Sequence, residues 1–371
     1  MGMLFLNAPV QNGEFTLTEL PGKATGIRIA AALNQIMGAP PAPHLWNTAT
    51  LTGDLRHREY TTECGQMSRE DLDIRMIAAK YPVLPEAGAI TDTDRLVAEL
   101  AIRIIQRRLH SGGLRISRQT VRVCARCGHM TGMDGHPCKA CGCADSRART
   151  TRLLVADRDP VTPVLPIGRI HTPCRNPARH LRGIAGNTPA RLILSRTRDH
   201  GIDLGPVGLP GLVLDPRAGL HTAALATARA RQADIAVMAI TANATANIAA
   251  YGQHFAEYDE LRLLYALYGR VPYDQVTAFH ASYADLGLGT TAQQAFETWF
   301  LPLLSLKEKN GVRAGQLPGL LRYFHRAHLA MPAEPDPTIV HALRQQIRDG
   351  DPAWVTHKTP LAAAMRMAND E

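Results

Sequence analysis

Residues 3 to 8, MLFLNA, are apolar almost throughout and read as a short buried strand. A turn at Asn12-Gly13 follows, and apolar residues then recur at helical spacing through ATGIRIAAALNQIMG, residues 24–38, where Gly38 ends the helix. The Pro-rich APPAP at 39–43 imposes a non-helical connection. DTDRLVAELAIRIIQRRLHSGG, residues 92–113, predicts a second, strongly amphipathic helix with a glycine stop. Alternating β and α elements of this kind imply a parallel sheet.

The pattern changes between 115 and 185. Short strands, RQTVRVC and TTRLLVA, flank a cysteine cluster, and prolines punctuate DPVTPVLPIG, as in a small inserted domain. Apolar β-type runs then resume in ARLILS, GLVLD and ADIAVMAI. GQLPGLLRYFHRAHLAM reads as helix, and PAEPDP introduces a short terminal helix. The expected units are the first half of an α/β core at 1–114, the insertion at 115–185, the second half of the core at 186–304, and a C-terminal helical segment at 305–371.

Composition adds constraints. With 45% hydrophobic and 20% charged residues over 371 positions, the chain is neither disordered nor fibrous. Aromatics are only 5%, so the core is aliphatic. The net charge of +8 is compatible with an anionic partner such as a nucleotide or RNA, but the excess is scattered along the chain and does not choose between them. The N-terminus lacks a secretory pattern, Leu6 stands where a myristoylation signal needs Ser or Thr, and no run approaches 18 apolar residues. A cytoplasmic protein without a membrane span is expected.

Five of the seven cysteines lie between 124 and 143, leaving Cys64 and Cys174 elsewhere. Cys124, Cys127, Cys138 and Cys141 form two C-x-x-C turns ten residues apart, the spacing of a tetrahedral Zn²⁺ site. Cys143 or His136 could replace one ligand, and a disulfide or plain buried thiols are the alternatives. Four thiolates leave no open coordination position, so such a zinc is structural.

The order of strand, P-x-x-N-G turn, helix, zinc knuckle, second α/β half and Lys-containing loop resembles class I aminoacyl-tRNA synthetases of the methionyl type. APVQNGEFTLTE lies over that family's first signature, LILSRTRDHGIDL over I-S-R-x-x-x-x-G, LVLDPRAGL over W-L-D-A-P-I-G-Y, and SLKEKNGV with LLRYF over K-M-S-K-S-x-G with L-R-Y. The resemblance spans residues 3 to 330 and rests on the order of these stretches. It implies a Rossmann-type class I synthetase core with a zinc-knuckle insertion and a short helical C-terminus.

The working positions differ from the family. Thr16 and Glu19 replace the two imidazoles of H-x-G-H, with Thr18 at its glycine. Losing one such transition-state donor costs about 10²–10³ in rate, so standard adenylation is in doubt. Lys307 and Lys309 bracket Glu308 in the altered second signature, where they either neutralise phosphate or belong to a solvated charged loop. Ala49 and Thr50 stand where the family holds the substrate amine with a carboxylate, and Val10 and Val213 where it has aromatic pocket residues, so methionine is not expected as substrate. Asp215 is retained, either as a cap of the following turn or as a residue that orients substrate. His200 and His280 are weaker candidates for replacement catalysts.

Only residues 312–371 follow the Lys loop, too few for the family's anticodon-binding domain, so tRNA charging is not expected. The resemblance implies a tRNA-independent enzyme of secondary metabolism that binds an amino-acid-like substrate with ATP and Mg²⁺. Such an enzyme activates the carboxylate for capture by an amine or an N-hydroxylated amino acid, with N–N bond formation and a cupin-type partner as one version. Asn12, Gly13, Thr16 and Glu19 would line the nucleotide, Val10, Thr50, Val213 and Asp215 the substrate, and Lys307 and Lys309 the phosphates. The alternative is a catalytically degenerate module that binds a small ligand or a protein.

Overall fold

A computed structural model describes residues 2–8, 24–46, 88–92, 94–131, 137–138, 141–158, 164–172, 183, 188–198, 201–241, 244–276, 280–307 and 311–368. Strand β1 (Met3–Asn7) pairs in parallel with β10 (Ile235–Thr241), which pairs in parallel with β12 (Leu261–Tyr268). Beyond β12 lie β6 (Ile170–Thr172), parallel, and the short β11 (Glu257–Tyr258), antiparallel. The central strand reads IAVMAIT and is buried on both faces, as a parallel strand covered by helices must be.

Strict alternation sorts the sheet into two cores. Leu4, Leu6, Ala236, Met238, Leu263 and Tyr265 face one cluster, and Phe5, Val237, Ala239, Ala266 and Tyr268 face the other. Helix α1 (Thr25–Met37) covers the second face. It ends where Gly38, in the left-handed region at φ 71°, donates its N–H to the carbonyls of Asn34 and Gln35. Helices α2 (Arg95–His110), α3 (Pro216–Ala230) and α4 (Thr245–Gly252) belong to the first face.

The outer edge of β1 is closed by two asparagines. Asn34 accepts from Phe5 N at 2.9 Å and donates to Phe5 O at 2.8 Å, while Asn7 accepts from Leu45 N at 3.0 Å and donates to Leu45 O at 3.1 Å. Side-chain amides thus replace a ladder and link β1 to the parallel pair β2 (His44–Trp46) and β3 (Ala89–Thr91).

A separate antiparallel sheet joins β4 (Arg115–Cys124), β5 (Ser146–Asp157) and β7 (Arg191–Ile193), with the cysteines at the far end of the β4–β5 hairpin. The C-terminal part contributes α5 (Leu317–His328), α6 (Pro337–Arg348) and α7 (Lys358–Ala368) to the α1 face. Two helices therefore follow the proline-rich 332–337 stretch instead of one. A 3-10 segment at Pro352–Thr356, capped by Asp351, turns the chain between them and buries Trp354. Among the described residues no helix is long and apolar enough to cross a membrane.

Candidate functional site

Helix α3 leads directly into β10, so its N-terminus lies at the carboxyl edge of the parallel sheet, where open α/β folds bind ligands. The short strands β8 (Ser195–Arg196) and β9 (Val213–Leu214) pair antiparallel just before it, placing Arg196 beside Val213 and Asp215 at the helix cap. Asp215 is 1% exposed. Its Oδ1 accepts from Arg217 N at 2.9 Å and from Arg217 Nε at 2.9 Å. Its Oδ2 accepts from Arg217 Nη2 at 2.9 Å and from Arg196 Nε at 2.7 Å.

Burial pushes the Asp215 carboxyl up, but Arg196 and Arg217 outweigh it and hold the group below its ordinary value. The Arg217 guanidinium also lies 3.4 Å from the ring centroid of Tyr251 on α4, which fixes its plane. Arg198 is exposed to solvent, yet surrounding protein depresses its pKa. Burial is the main cause; Asp215 and the buried Asp92 draw the pKa up, while Arg196 and Arg217 draw it down. Among the described residues the cluster holds three guanidiniums and two carboxylates.

Beneath it, His221 on α3 bonds the Arg217 carbonyl through Nδ1 and the Tyr265 hydroxyl through Nε2, each at 2.6 Å. A carbonyl only accepts, so Nδ1 carries the proton and Nε2 accepts from Tyr265. Burial lowers the His221 pKa to about 4 and raises that of Tyr265, leaving a neutral pair that supports the Arg217 backbone. A Cβ on Gly252 would fall 1.8 Å from His221 Nε2, so α4 approaches only because that residue is glycine.

Val213 is 8% exposed and packs against Gly201, whose φ of +132° also favours glycine. The Lys loop is pinned at the carboxyl end of β12: Gly269 N donates to Ser305 O at 2.9 Å and Val312 N to Arg270 O at 2.8 Å. Gly311, at φ +76°, has no room for a Cβ, which would meet Arg270 O at 1.9 Å. Within that loop Lys307 Nζ donates to Thr356 Oγ1 at 2.6 Å. Lys307 and Asp215 therefore flank one sheet edge without touching. Val10, Asn12, Gly13, Thr16, Glu19, Ala49, Thr50, His136, His200, Glu308 and Lys309 lie outside the described residues. His280 opens the helix His280–Asp285.

The thiols of Cys124, Cys127, Cys138 and Cys141 lie within 4.8 Å of one another. Cys124–Cys141 and Cys127–Cys138 are each 3.5 Å apart, too long for a disulfide and close to the edge of about 3.8 Å expected for four thiolates at 2.3 Å from one tetrahedral ion. In each turn a left-handed glycine closes the loop, with Gly128 N donating to Cys124 O and Gly142 N to Cys138 O. The donor set suits a thiophilic metal in a closed shell. The knuckle is tied to the arginine segment, because Met130 N donates to Thr197 Oγ1 at 2.6 Å, between Arg196 and Arg198.

A cleft of about 540 Å³ lies elsewhere, between α1 and the proline-rich stretch after it. Its carboxamides from Asn7 and Asn34 already serve the β1 edge, and among the described residues its one ionisable lining group, His44, is lowered to about 4 by burial. Among the described residues it offers no charge for chemistry at neutral pH.

Sequence reasoning singled out Asp215 but passed over Arg196, Arg198, Arg217, Asp92 and the His221–Tyr265 pair. The signal was available: SRTR and DPR put three arginines next to the stretches that resemble synthetase motifs, where the motifs themselves carry one.

No family profile and no curated protein matches the chain. Solved structures do. The chain resembles Mycobacterium tuberculosis methionyl-tRNA synthetase bound by methionyl-adenylate, with 13% identity and a TM-score of 0.51 over 99% of this chain and 82% of that one. It resembles the apo form of the Mycobacterium tuberculosis enzyme with 12% identity and a TM-score of 0.52 over 100% of this chain and 81% of that one. The fold is that of a class I synthetase core.

Proposed function

We propose that the chain is a tRNA-independent enzyme that activates an amino-acid carboxylate on a synthetase-type core and passes the acyl group to an amine or an N-hydroxylated amino acid. The observation that carries this reading is the pairing of Arg196 and Arg217 on the buried Asp215, with Arg198 in their electrostatic field, at the carboxyl edge of a methionyl-tRNA-synthetase-like sheet. With four donors already on its carboxylate, Asp215 acts on substrate through the two guanidiniums it aligns.

In the proposed reaction the substrate carboxylate attacks the α-phosphorus of Mg-bound ATP and pyrophosphate leaves. The incoming nitrogen or hydroxylamine oxygen then attacks the acyl carbon, AMP leaves with the C–O electron pair, and the nucleophile loses its proton. Asn12, Gly13, Thr16 and Glu19 line the nucleotide side in this proposal. Val10, Thr50 and Val213 shape the substrate side, and Lys307 and Lys309 neutralise the departing phosphates. The ion in the four-cysteine knuckle is zinc and holds structure. The finer form of the proposal is a role in natural-product biosynthesis with a cupin-type partner: once the acyl group sits on the hydroxylamine oxygen, an amine nitrogen attacks the hydroxylamine nitrogen, the N–O bond breaks with its electron pair leaving on the carboxylate, and the attacking nitrogen loses a proton as the N–N bond forms.

One observation favours a second reading, a ligand-binding module without adenylation. Lys307 is bonded to Thr356 instead of pointing an unengaged ammonium at the sheet edge. The two are separated by incubating the zinc-loaded chain with Mg-ATP, single amino acids and hydroxylamine. Amino-acid-dependent release of AMP with formation of a hydroxamate supports the enzyme, and binding of amino acids without AMP release supports the module.

A further inference from the structure

The β4–β5 ribbon carries arginines that the candidate site does not use. Its ladder runs without a register shift from Arg115↔Val155 to Cys124↔Ser146, so residues paired across it share a face. Arg118 stands directly opposite Arg152, a like-charge pair that costs stability on its own, and Arg122 lies two pairs further along the same face. Arg147 and Arg149 occupy the other face. All five are exposed, and among the described residues none forms an ion pair; Arg122 bonds Ser146 Oγ at 2.6 Å. Asp157 is the one carboxylate on the two strands, and Arg115 and Arg191 already hold it.

The backbone beside these arginines is open on one side. Leu154 donates its N–H to Ser195 Oγ at 3.0 Å and its carbonyl accepts from Leu194 N at 2.8 Å, and β7 continues that edge through Asp157. Peptide groups alternate in direction along a strand, so Arg152, Thr150 and Ala148 turn theirs to the same side, beyond the reach of β7. The opposite edge confirms the phase. There Arg122 O accepts from Thr131 N and Cys124 N donates to His129 O, so these residues face away from β5 and their partners on β5 face away from β4. Among the described residues no strand pairs with the outer edge of 147–152, which leaves a ladder ready for another chain.

We infer that the β5 edge from Arg147 to Arg152 docks an acidic, extended segment of a partner protein, which adds a strand to this sheet. Main-chain bonds to Ala148, Thr150 and Arg152 hold the segment, and the arginines on both faces select carboxylates opposite them. A second copy of the chain brings arginines to the same edge and is repelled. Neither strand carries an aromatic ring on which a base could stack, so single-stranded nucleic acid fits poorly. The surface stands apart from the Asp215 cluster and does not depend on whether that cluster serves adenylation.

The test is fluorescence anisotropy of the full zinc-loaded chain with a labelled peptide of alternating Glu and Thr, about ten residues long. Saturable binding that weakens with salt is expected, and the Lys–Thr counterpart is expected not to bind. Arg147→Glu with Arg149→Glu is expected to weaken binding about tenfold or more. Ala148→Pro removes one outward N–H, keeps every charge and sits where edge strands tolerate proline. It is expected to weaken binding about three- to tenfold with unchanged zinc content and melting temperature. A fully N-methylated Glu–Thr peptide, which needs no change in the protein, is expected to lose binding. Full binding of that peptide, or of the parent peptide to folded Ala148→Pro, would show recognition of charge without strand pairing and overturn the inference. No binding of the Glu–Thr peptide overturns it as well. Random-sequence duplex DNA that binds more tightly than the peptide and ignores Ala148→Pro would assign the arginines to phosphate instead.

Discussion

Asp215 caps the helix that begins at Pro216 and grips Arg217 two residues along it, Oδ1 to Nε and Oδ2 to Nη2, both at 2.9 Å. One carboxylate thereby ends β9, starts α3 and fixes the plane of a guanidinium at the sheet's carboxyl edge. Removing it leaves two half-buried guanidiniums, Arg196 and Arg217, without the carboxylate they share. Asp215→Ala is expected to cost about 3–5 kcal/mol in urea unfolding, and Asp215→Asn less, because Asn keeps the cap but not the charge. Equal, small losses in both variants would show that the cluster is held from elsewhere.

The same groups set an acid limit. His221 has a folded pKa near 4 against an ordinary 6.5, so the unfolded chain binds more protons between those values and stability falls as pH drops through that window. The full shift is worth up to about 3 kcal/mol. Asp215, depressed below its ordinary value, loses its contribution at lower pH still. His44 and His254 are also lowered to about 4, so His221→Gln is expected to reduce proton uptake on unfolding near pH 5 by about one and leave the other contributions intact. An unchanged slope would mean that His221 is not held neutral.

Gly252 and His221 offer a paired test. Gly252→Ala alone is expected to destabilise by about 1–3 kcal/mol through its clash with the imidazole. In a His221→Ala background the same change should cost well under 1 kcal/mol, a coupling that a double-mutant cycle in urea measures directly.

The knuckle touches the arginine segment through Met130 and Thr197, so the four-cysteine cluster and the candidate site are mechanically connected. About one zinc per chain is expected by elemental analysis, lost in Cys127→Ser. Thr197→Val, which keeps all four cysteines, is expected to retain the metal yet weaken amino-acid binding several-fold. Full affinity in Thr197→Val would dissociate the two.

Much of this fold is visible in the sequence because its signals are local. β1, α1 and α2 follow from runs and periods within 5 to 16 residues, and C-x-x-C spacing names its own ligands. The side-chain ladder of Asn7 and Asn34 is not local, joining residues 38 and 29 positions apart. The arginine cluster was hidden for the same reason. Arg196 reaches Asp215 only because two-residue strands pair across an irregular loop, a register no periodicity announces. The second C-terminal helix was missed because Pro352, which opens a 3-10 turn, reads in sequence as a helix stop.

Lys307 and Thr356 decide between the two functional readings, since the ammonium must leave the hydroxyl to meet a phosphate. The most direct measurement is calorimetric titration of the zinc-loaded chain with Mg-ATP, comparing Lys307→Ala and Thr356→Val with the parent. Adenylate chemistry predicts saturable binding that Lys307→Ala weakens about tenfold or more and that Thr356→Val leaves equal or tighter. No heat at millimolar Mg-ATP, from folded protein with its metal in place, would contradict it.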